Sequence, residues 1–298
     1  MNLDGKVAIV TGGSRGIGRA ICLGLGAQGA KVVVAARTQV DTSAGTQYEK
    51  YGSGTIDDTT ERIHHRGGEA LAVKCDVTSA EEIQRLVDTT LERFGRVDVL
   101  VTNAGIDCES PVADLDVDLL DRCLAVNVRA PLLLCKFALP AMVAQGTGGS
   151  IFCITSGSAK AYREGRIGYS MSKAALERMF LSLAEEVRPR NIAVNVLEPG
   201  RMDTWMNRRG DWPGTAHIPM MQPDEIIPSA VWLAGQTAAT FTGQVVARAD
   251  FGATWGDGAN SQPPMPTTFG ASKGPSRLPG GSPVHRRHRP MNSGLGEE

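Results

Sequence analysis

The chain has 298 residues, of which 42% are hydrophobic and 21% charged, with 31 basic residues against 32 acidic. That length and apolar share allow a sizeable core and exclude a fibrous or wholly disordered chain, while the near-zero net charge gives no sign of nucleic acid or an anionic membrane as partner. The apolar run at 7–10 is too short for a secretory segment and no stretch reads as a membrane span, so the expectation is a cytoplasmic protein with no membrane partner. Cys22, Cys75, Cys108, Cys123, Cys135 and Cys153 form no C-x-x-C pair, which suits reduced, buried thiols and no metal site.

From Lys6 to about Gly256, short β-branched runs alternate with longer segments of helical period. The predicted strands are 7–10, 31–35, 70–75, 97–102, 150–155, 192–197 and 244–247, nearly continuous in apolar character, as strands covered on both faces are. This is the pattern of a doubly wound α/β fold, a parallel sheet of about seven strands with helices on both faces.

The first strand runs directly into Thr11-Gly12-Gly13-Ser14-Arg15-Gly16-Ile17-Gly18 and then a helical run. Such a turn brings backbone N–H groups and a helix N-terminus to a pyrophosphate: Gly12 allows the turn, Gly16 the approach of the phosphates, Gly18 close helix packing. The spacing departs from G-x-G-x-x-G, so the strand–turn–helix context carries the reading. The second strand ends in Ala36-Arg37 with no carboxylate to take the ribose hydroxyls of NAD. Arg37, helped by Arg15, instead suits a 2′-phosphate, which favours NADP(H), with NAD(H) still possible. Asp41 lies just beyond in a Ser, Thr, Gly and Gln-rich excursion at 38–55.

After the third strand, Ser79 and Glu82 predict a capping box opening a helix that ends at Gly95. Asn103-Ala104-Gly105 closes the fourth strand, and Asn127 falls within a helical stretch from about Asp116. Ser156 ends the fifth strand, where open α/β sheets bind ligands. Tyr169 and Lys173, four apart, share one face of a helix. A phenol is a poor acid/base near neutral pH, and an adjacent ammonium together with a positively charged nicotinamide favours the phenolate that acid/base work requires.

Taken in this order, the glycine turn, Asp76, Asn-Ala-Gly, Asn127, Ser156, Tyr169-x-x-x-Lys173 and Pro199-Gly200 make residues 3 to 256 resemble the classical short-chain dehydrogenase/reductase family, in particular 3-oxoacyl-acyl-carrier-protein-reductase-like members. The resemblance implies a Rossmann-type domain over 1–256 and an oxidoreductase moving hydride between NADP(H) and a carbonyl/secondary alcohol. It implies Tyr169 as acid/base, Ser156 polarising the substrate oxygen, Lys173 on the nicotinamide ribose and Asn127 supporting a proton relay through water. It also places Gly12, Ser14, Arg15, Gly16, Ile17 and Gly18 around the phosphates and Asp76 and Val77 at the adenine. Asn103, Ala104 and Gly105 fall on the adenosine side, and Pro199, Gly200, Met202 and Thr204 at the nicotinamide end. A homo-oligomer, tetramer or dimer, with helices near 116–144 and 168–188 at the interfaces, follows from the same likeness.

Thr102 before Asn103, Glu198 before Pro199, and Asp250-Phe251-Gly252 depart from the family pattern. Residues 201–222 are expected to form a substrate lid, with Trp205, Met206, Trp212, Met220 and Met221 either as an apolar pocket cover or simply packing a loop, and Arg208 and Arg209 either available to an anionic group or solvated. The Gly, Pro and Ser-rich tail at 257–298, with a basic cluster at 285–289, is expected to be disordered. Two other readings stand beside the enzyme: a catalytically silent NADP-binding sensor or regulatory protein, and serine acyl transfer from Ser170-x-x-Lys173, whose companion Ser-Asp-Asn and Lys-Thr-Gly motifs are missing.

Overall fold

Valine, isoleucine and alanine fill the runs that become strands, and alternate side chains go to opposite faces of the sheet. The computed structural model describes residues 1–40, 54–208 and 219–259. Among them, β1 (Val7–Thr11), β2 (Lys31–Ala36), β3 (Ala70–Lys74), β4 (Val99–Thr102), β5 (Gly149–Ile154), β6 (Ile192–Glu198) and β7 (Val245–Ala247) pair in parallel in the order β3-β2-β1-β4-β5-β6-β7. The order reverses between β1 and β4, the switch point where such sheets open a ligand crevice at the carboxyl ends of the strands.

Helices cover both faces, as the pattern predicts. On one, Ala8, Val10, Val32, Val34 and Phe152 pack with α1 (Gly16–Ala27), α2 (Ile56–His64) and α8 (Ile227–Ala234). On the other, Ile9, Val33, Leu100, Ile151 and Val194 pack with α3 (Ala80–Phe94), α5 (Ala130–Gln145) and α6 (Ile167–Val187). Two shorter helices, α4 (Val117–Leu124) and α7 (Trp205–Arg208), precede α5 and α8 respectively. Phe251, where the family pattern has glycine, fills an aromatic cluster, 4.9 Å from Trp255 and 6.3 Å from Trp232.

Two expectations are corrected. Ser79 caps α3 by accepting from Glu82 N–H (3.1 Å), and Gly95 ends it at φ +75°, but Glu82 does not reach back to Ser79. Its carboxylate takes the N–H of Asp76 instead (2.8 Å), so the same glutamate braces the residue that follows β3 by two. Secondly, the helical run Val117–Gln145 is long and apolar enough, by length and composition alone, to cross a membrane. Here Leu134, Cys135, Ala138 and Met142 of that run are buried in the core beneath the sheet.

At the amino edge, Asp98 is 1% exposed and ties β1 to β4. Its carboxylate accepts from Val7 N–H (2.9 Å), from Arg96 (2.6 and 2.7 Å) and from Lys6 (3.3 Å). Burial opposes ionisation, but these donors outweigh it and hold the carboxyl below its ordinary value of 3.8. The stabilisation is therefore present above that value and lost as pH falls through the depressed one. Asp98→Asn should cost about 2–3 kcal/mol at neutral pH, with a smaller difference at pH near 3; denaturant unfolding at both pH values checks this, and an equal loss at both contradicts the ion pairing.

Candidate active site

The carboxyl ends of β1, β4, β5 and β6 bring the motif residues to one edge. At the switch point, Asn103 reaches from β4 to β1. Its Nδ2 donates to Thr11 O (2.9 Å) and Gly12 O (3.3 Å), and Thr11 Oγ1 accepts from Asn103 N–H (3.1 Å) and Ala104 N–H (3.3 Å). Asn103 thus uses its amide to shape the glycine turn. Gly12 (φ +67°) has no room for a Cβ, which would lie 2.7 Å from Asn103 Nδ2.

The turn fits a dinucleotide. Gly12 and Gly16 both have positive φ, and no side chain caps the first N–H groups of α1. Gly18 closes on Gly12 O so tightly that a Cβ would clash. Thr204 stands opposite, its methyl 3.2 Å from where a Cβ on Gly16 would be, so the chain after Pro199-Gly200 returns to the glycine turn. Ser14 is buried, Arg15 is exposed, and Gly54, at the end of the 38–55 excursion, packs on Arg15. Arg37 is exposed at the end of β2 and faces Asp76. Burial pushes the Asp76 carboxyl up, but the N–H and hydroxyl of Thr78 (2.9 and 2.8 Å) and the Arg37 charge bring it below the usual range. Val77, Pro199 and Met202 are buried nearby in sequence order after β3 and β6.

Tyr169 sits on the first turn of α6, where the helix dipole favours negative charge. Tyr169 is 7% exposed; Lys173 is 4% exposed, with Nζ 5.7 Å from the centre of the tyrosine ring and donating to Ile154 O (2.9 Å) two residues before Ser156. Ser156 accepts from Ser158 N–H (3.2 Å) and opens the 3-10 turn Gly157–Ala159. Asn127 lies on a π turn, Ala125–Arg129, between α4 and α5, a break that recurs at functional sites. Its amide is held on both sides by Ile106, accepting from that N–H and donating to that C=O (2.9 Å each).

Asn127 also donates to Ser172 Oγ (3.0 Å), which in turn donates to Tyr169 O (2.7 Å). Ser172 was not among the sequence-derived site residues. Its spacing of three from Tyr169 was the available signal, because a helical serine there bonds back to the carbonyl. Gly105 completes the group: a Cβ on it would lie 3.4 Å from Asn127 Oδ1 and 3.6 Å from Lys173 Nζ.

Behind Ser156, Thr155 Oγ1 donates to Glu177 Oε1 (2.8 Å), and Glu198, the unusual residue before Pro199, lies against Gly157 and pairs with Lys160 (3.7 Å). Met202 and Met221 pair in an isolated parallel bridge. Arg208 is paired to Asp203, so it does not stand open to an anionic substrate as the sequence suggested. Asp41, Arg209, Trp212 and the basic tail lie outside the described residues.

The family model "short chain dehydrogenase" matches residues 6–211. Glucose 1-dehydrogenase 2 of Bacillus subtilis is 34% identical over 251 residues, 81% of this chain and 92% of that protein. The 3-oxoacyl-[acyl-carrier-protein] reductase of Synechocystis is 34% identical over 247 residues, 81% and 94% of the two chains. Among solved structures, a blue fluorescent protein from a metagenomic library in complex with NADPH superposes with a TM-score of 0.72 at 33% identity, covering 83% of this chain and 97% of its own. The chain belongs to the short-chain dehydrogenase family. Family and fold together support an NAD(P)(H)-dependent oxidoreductase acting on a carbonyl/alcohol pair.

Burial, above all, holds the Glu177 carboxyl above its ordinary value of 4.5, with Glu198 adding to the shift and Thr155, Lys160 and Lys173 opposing it. A raised carboxyl favours the fold while protonated, and that advantage is lost as pH rises from the ordinary value through the raised one. Glu177→Gln should therefore gain melting temperature over the parent at pH 8 relative to pH 5; a difference independent of pH contradicts this.

Proposed function

We propose that the protein transfers hydride between NADP(H) and a carbonyl/secondary alcohol substrate, in the manner of the 3-oxoacyl-thioester and sugar dehydrogenases it is similar to. The observation that carries this is the buried linkage of Asn127, Ser172, Tyr169 and Lys173 beside the glycine turn, at the carboxyl edge of the sheet. The nicotinamide, when bound, supplies or accepts the hydride. Every other task falls to residues of this chain.

In the direction of reduction, Ser156 Oγ orients the substrate carbonyl by donating to its oxygen, and Tyr169 delivers its phenolic proton to that oxygen as negative charge develops. Lys173, fixed by Ile154 O, holds the ribose and places positive charge beside the phenol. Asn127 supports the return of the proton through water. Gly12, Ser14, Gly16, Ile17 and Gly18 hold the phosphates, and Asp76 and Val77 the adenine. Arg15 and Arg37 take the 2′-phosphate, an assignment supported by their exposure and by the missing carboxylate at the end of β2. Pro199, Gly200, Met202 and Thr204 line the nicotinamide end. The partner is a small molecule, and the exposed Val117, Leu132 and Met171 on α4, α5 and α6 suit packing against further copies of the chain, a dimer or tetramer.

NADPH oxidation across ketones, quinones and 3-oxoacyl thioesters tests the reading, with Tyr169→Phe alongside. Turnover should fall at least about 100-fold in that variant while NADPH binding persists; undiminished turnover would sink the assignment. Arg37→Asp should move the NADPH/NADH preference toward NADH by about tenfold or more, and an unchanged ratio contradicts the 2′-phosphate role.

A further inference from the structure

Tyr169 is also held from a side that none of these roles uses. Three contacts join the segment after β4 to the start of α6. Ser110 N–H donates to Gly165 O (2.7 Å). Arg166 Nη2 donates to Asp107 Oδ2 (2.7 Å). Cys108 Sγ packs on Gly168, where a Cβ would come within 2.7 Å, so the loop reaches the helix only because that residue is glycine. The guanidinium carbon of Arg166 then lies 4.5 Å from the centre of the Tyr169 ring, and Arg166 is 9% exposed.

The tether is itself fixed, because Asp107 Oδ1 accepts from Cys108 N–H (2.9 Å). Glu109 also faces Arg166, and burial, then Asp107, pushes its carboxyl up. A planar guanidinium matches an aromatic face as a lysine ammonium does not. A phenol that must meet a substrate oxygen needs its ring angle held by neighbours, since a misplacement of about 1 Å costs on the order of 100-fold in rate.

We propose that Arg166 is a positioning residue for Tyr169: tethered by Asp107, its guanidinium sits over the ring and sets the direction of the phenol oxygen. The loop that ends the cofactor edge of β4 thereby also sets the acid/base group. This rests on Tyr169 acting as the acid/base, and the test separates the two.

Arg166→Met, Arg166→Lys, Asp107→Asn, the Asp107→Asn/Arg166→Met double variant and Tyr169→Phe are compared by NADPH oxidation with the fastest carbonyl of the panel, NADPH affinity, melting temperature and NMR of protein carrying ring-13C tyrosine. The chain has four tyrosines, and Tyr169→Phe identifies the Tyr169 signal by its loss. Arg166→Met should lower kcat roughly 10- to 100-fold with KM and the NADPH Kd within about twofold, and should move the Tyr169 signal. Arg166→Lys should recover only part of kcat, Asp107→Asn should be intermediate, and the double variant should be no slower than Arg166→Met. Full kcat in Arg166→Met, an unmoved Tyr169 signal, or a parallel fall of kcat, NADPH affinity and melting temperature in Asp107→Asn overturns the proposal. Should Arg166→Met not fold, Asp107→Asn decides: a kcat loss at constant affinity and melting temperature supports the clamp, and unchanged kcat refutes it. Normal turnover in Tyr169→Phe instead refutes the acid/base reading, while the NMR shift still reports on the clamp.

Discussion

The site depends first on the amide of Asn103 crossing from the end of β4 to the end of β1. At the switch point two neighbouring strands send their chains to opposite sides, which leaves a crevice with nothing in the sheet to close it. Asn103 spans that gap with bonds to Thr11 and Gly12, and Thr11 answers with its hydroxyl. The glycine turn is thereby set from below, and its lack of side chains is a packing requirement as well as an opening for phosphates.

From Asn103 the chain continues for only a few residues, yet each next residue meets another part of the machinery. Gly105 lies between Asn127 and Lys173, Ile106 holds both ends of the Asn127 amide, and Asp107 engages the arginine that lies over the Tyr169 ring. One short segment therefore touches the cofactor edge, the π turn and the acid/base helix. Such a strut keeps the glycine turn, the π turn and the start of α6 in a fixed relation without needing any one of them to be rigid alone. Its contacts are polar and partly buried, so partial loss leaves unpaired groups at a local cost.

The doubly wound fold was legible because strand and helix periods differ and the strands are apolar throughout; β1 to β7 fall within two residues of the runs read from the sequence. The motif residues were legible because chain order places them at strand ends. Partnerships between distant segments were not. Glu82 had the right spacing for a reciprocal cap, yet Asp76 N–H, brought near by the end of β3, took its carboxylate. Arg208 reads as an available cation until Asp203 is seen beside it. Ser172 and Arg166 each lie three residues from Tyr169 on its own helix, but what they do is set by Asn127 and Asp107, which arrive from elsewhere in the chain. Composition likewise hid the apolar length of Val117–Gln145, since Asn127 and Arg129 interrupt it by eye while leaving its mean hydropathy high.

The most direct measurement is an experimental structure of the protein with NADP+ bound. The account predicts the 2′-phosphate against Arg15 and Arg37, the pyrophosphate over Gly12 to Gly18, and the nicotinamide with its reactive carbon facing the Tyr169 hydroxyl across a space for a substrate oxygen, within about 3–4 Å of each. A nicotinamide directed away from Tyr169, or a cofactor held elsewhere on the sheet, would contradict it.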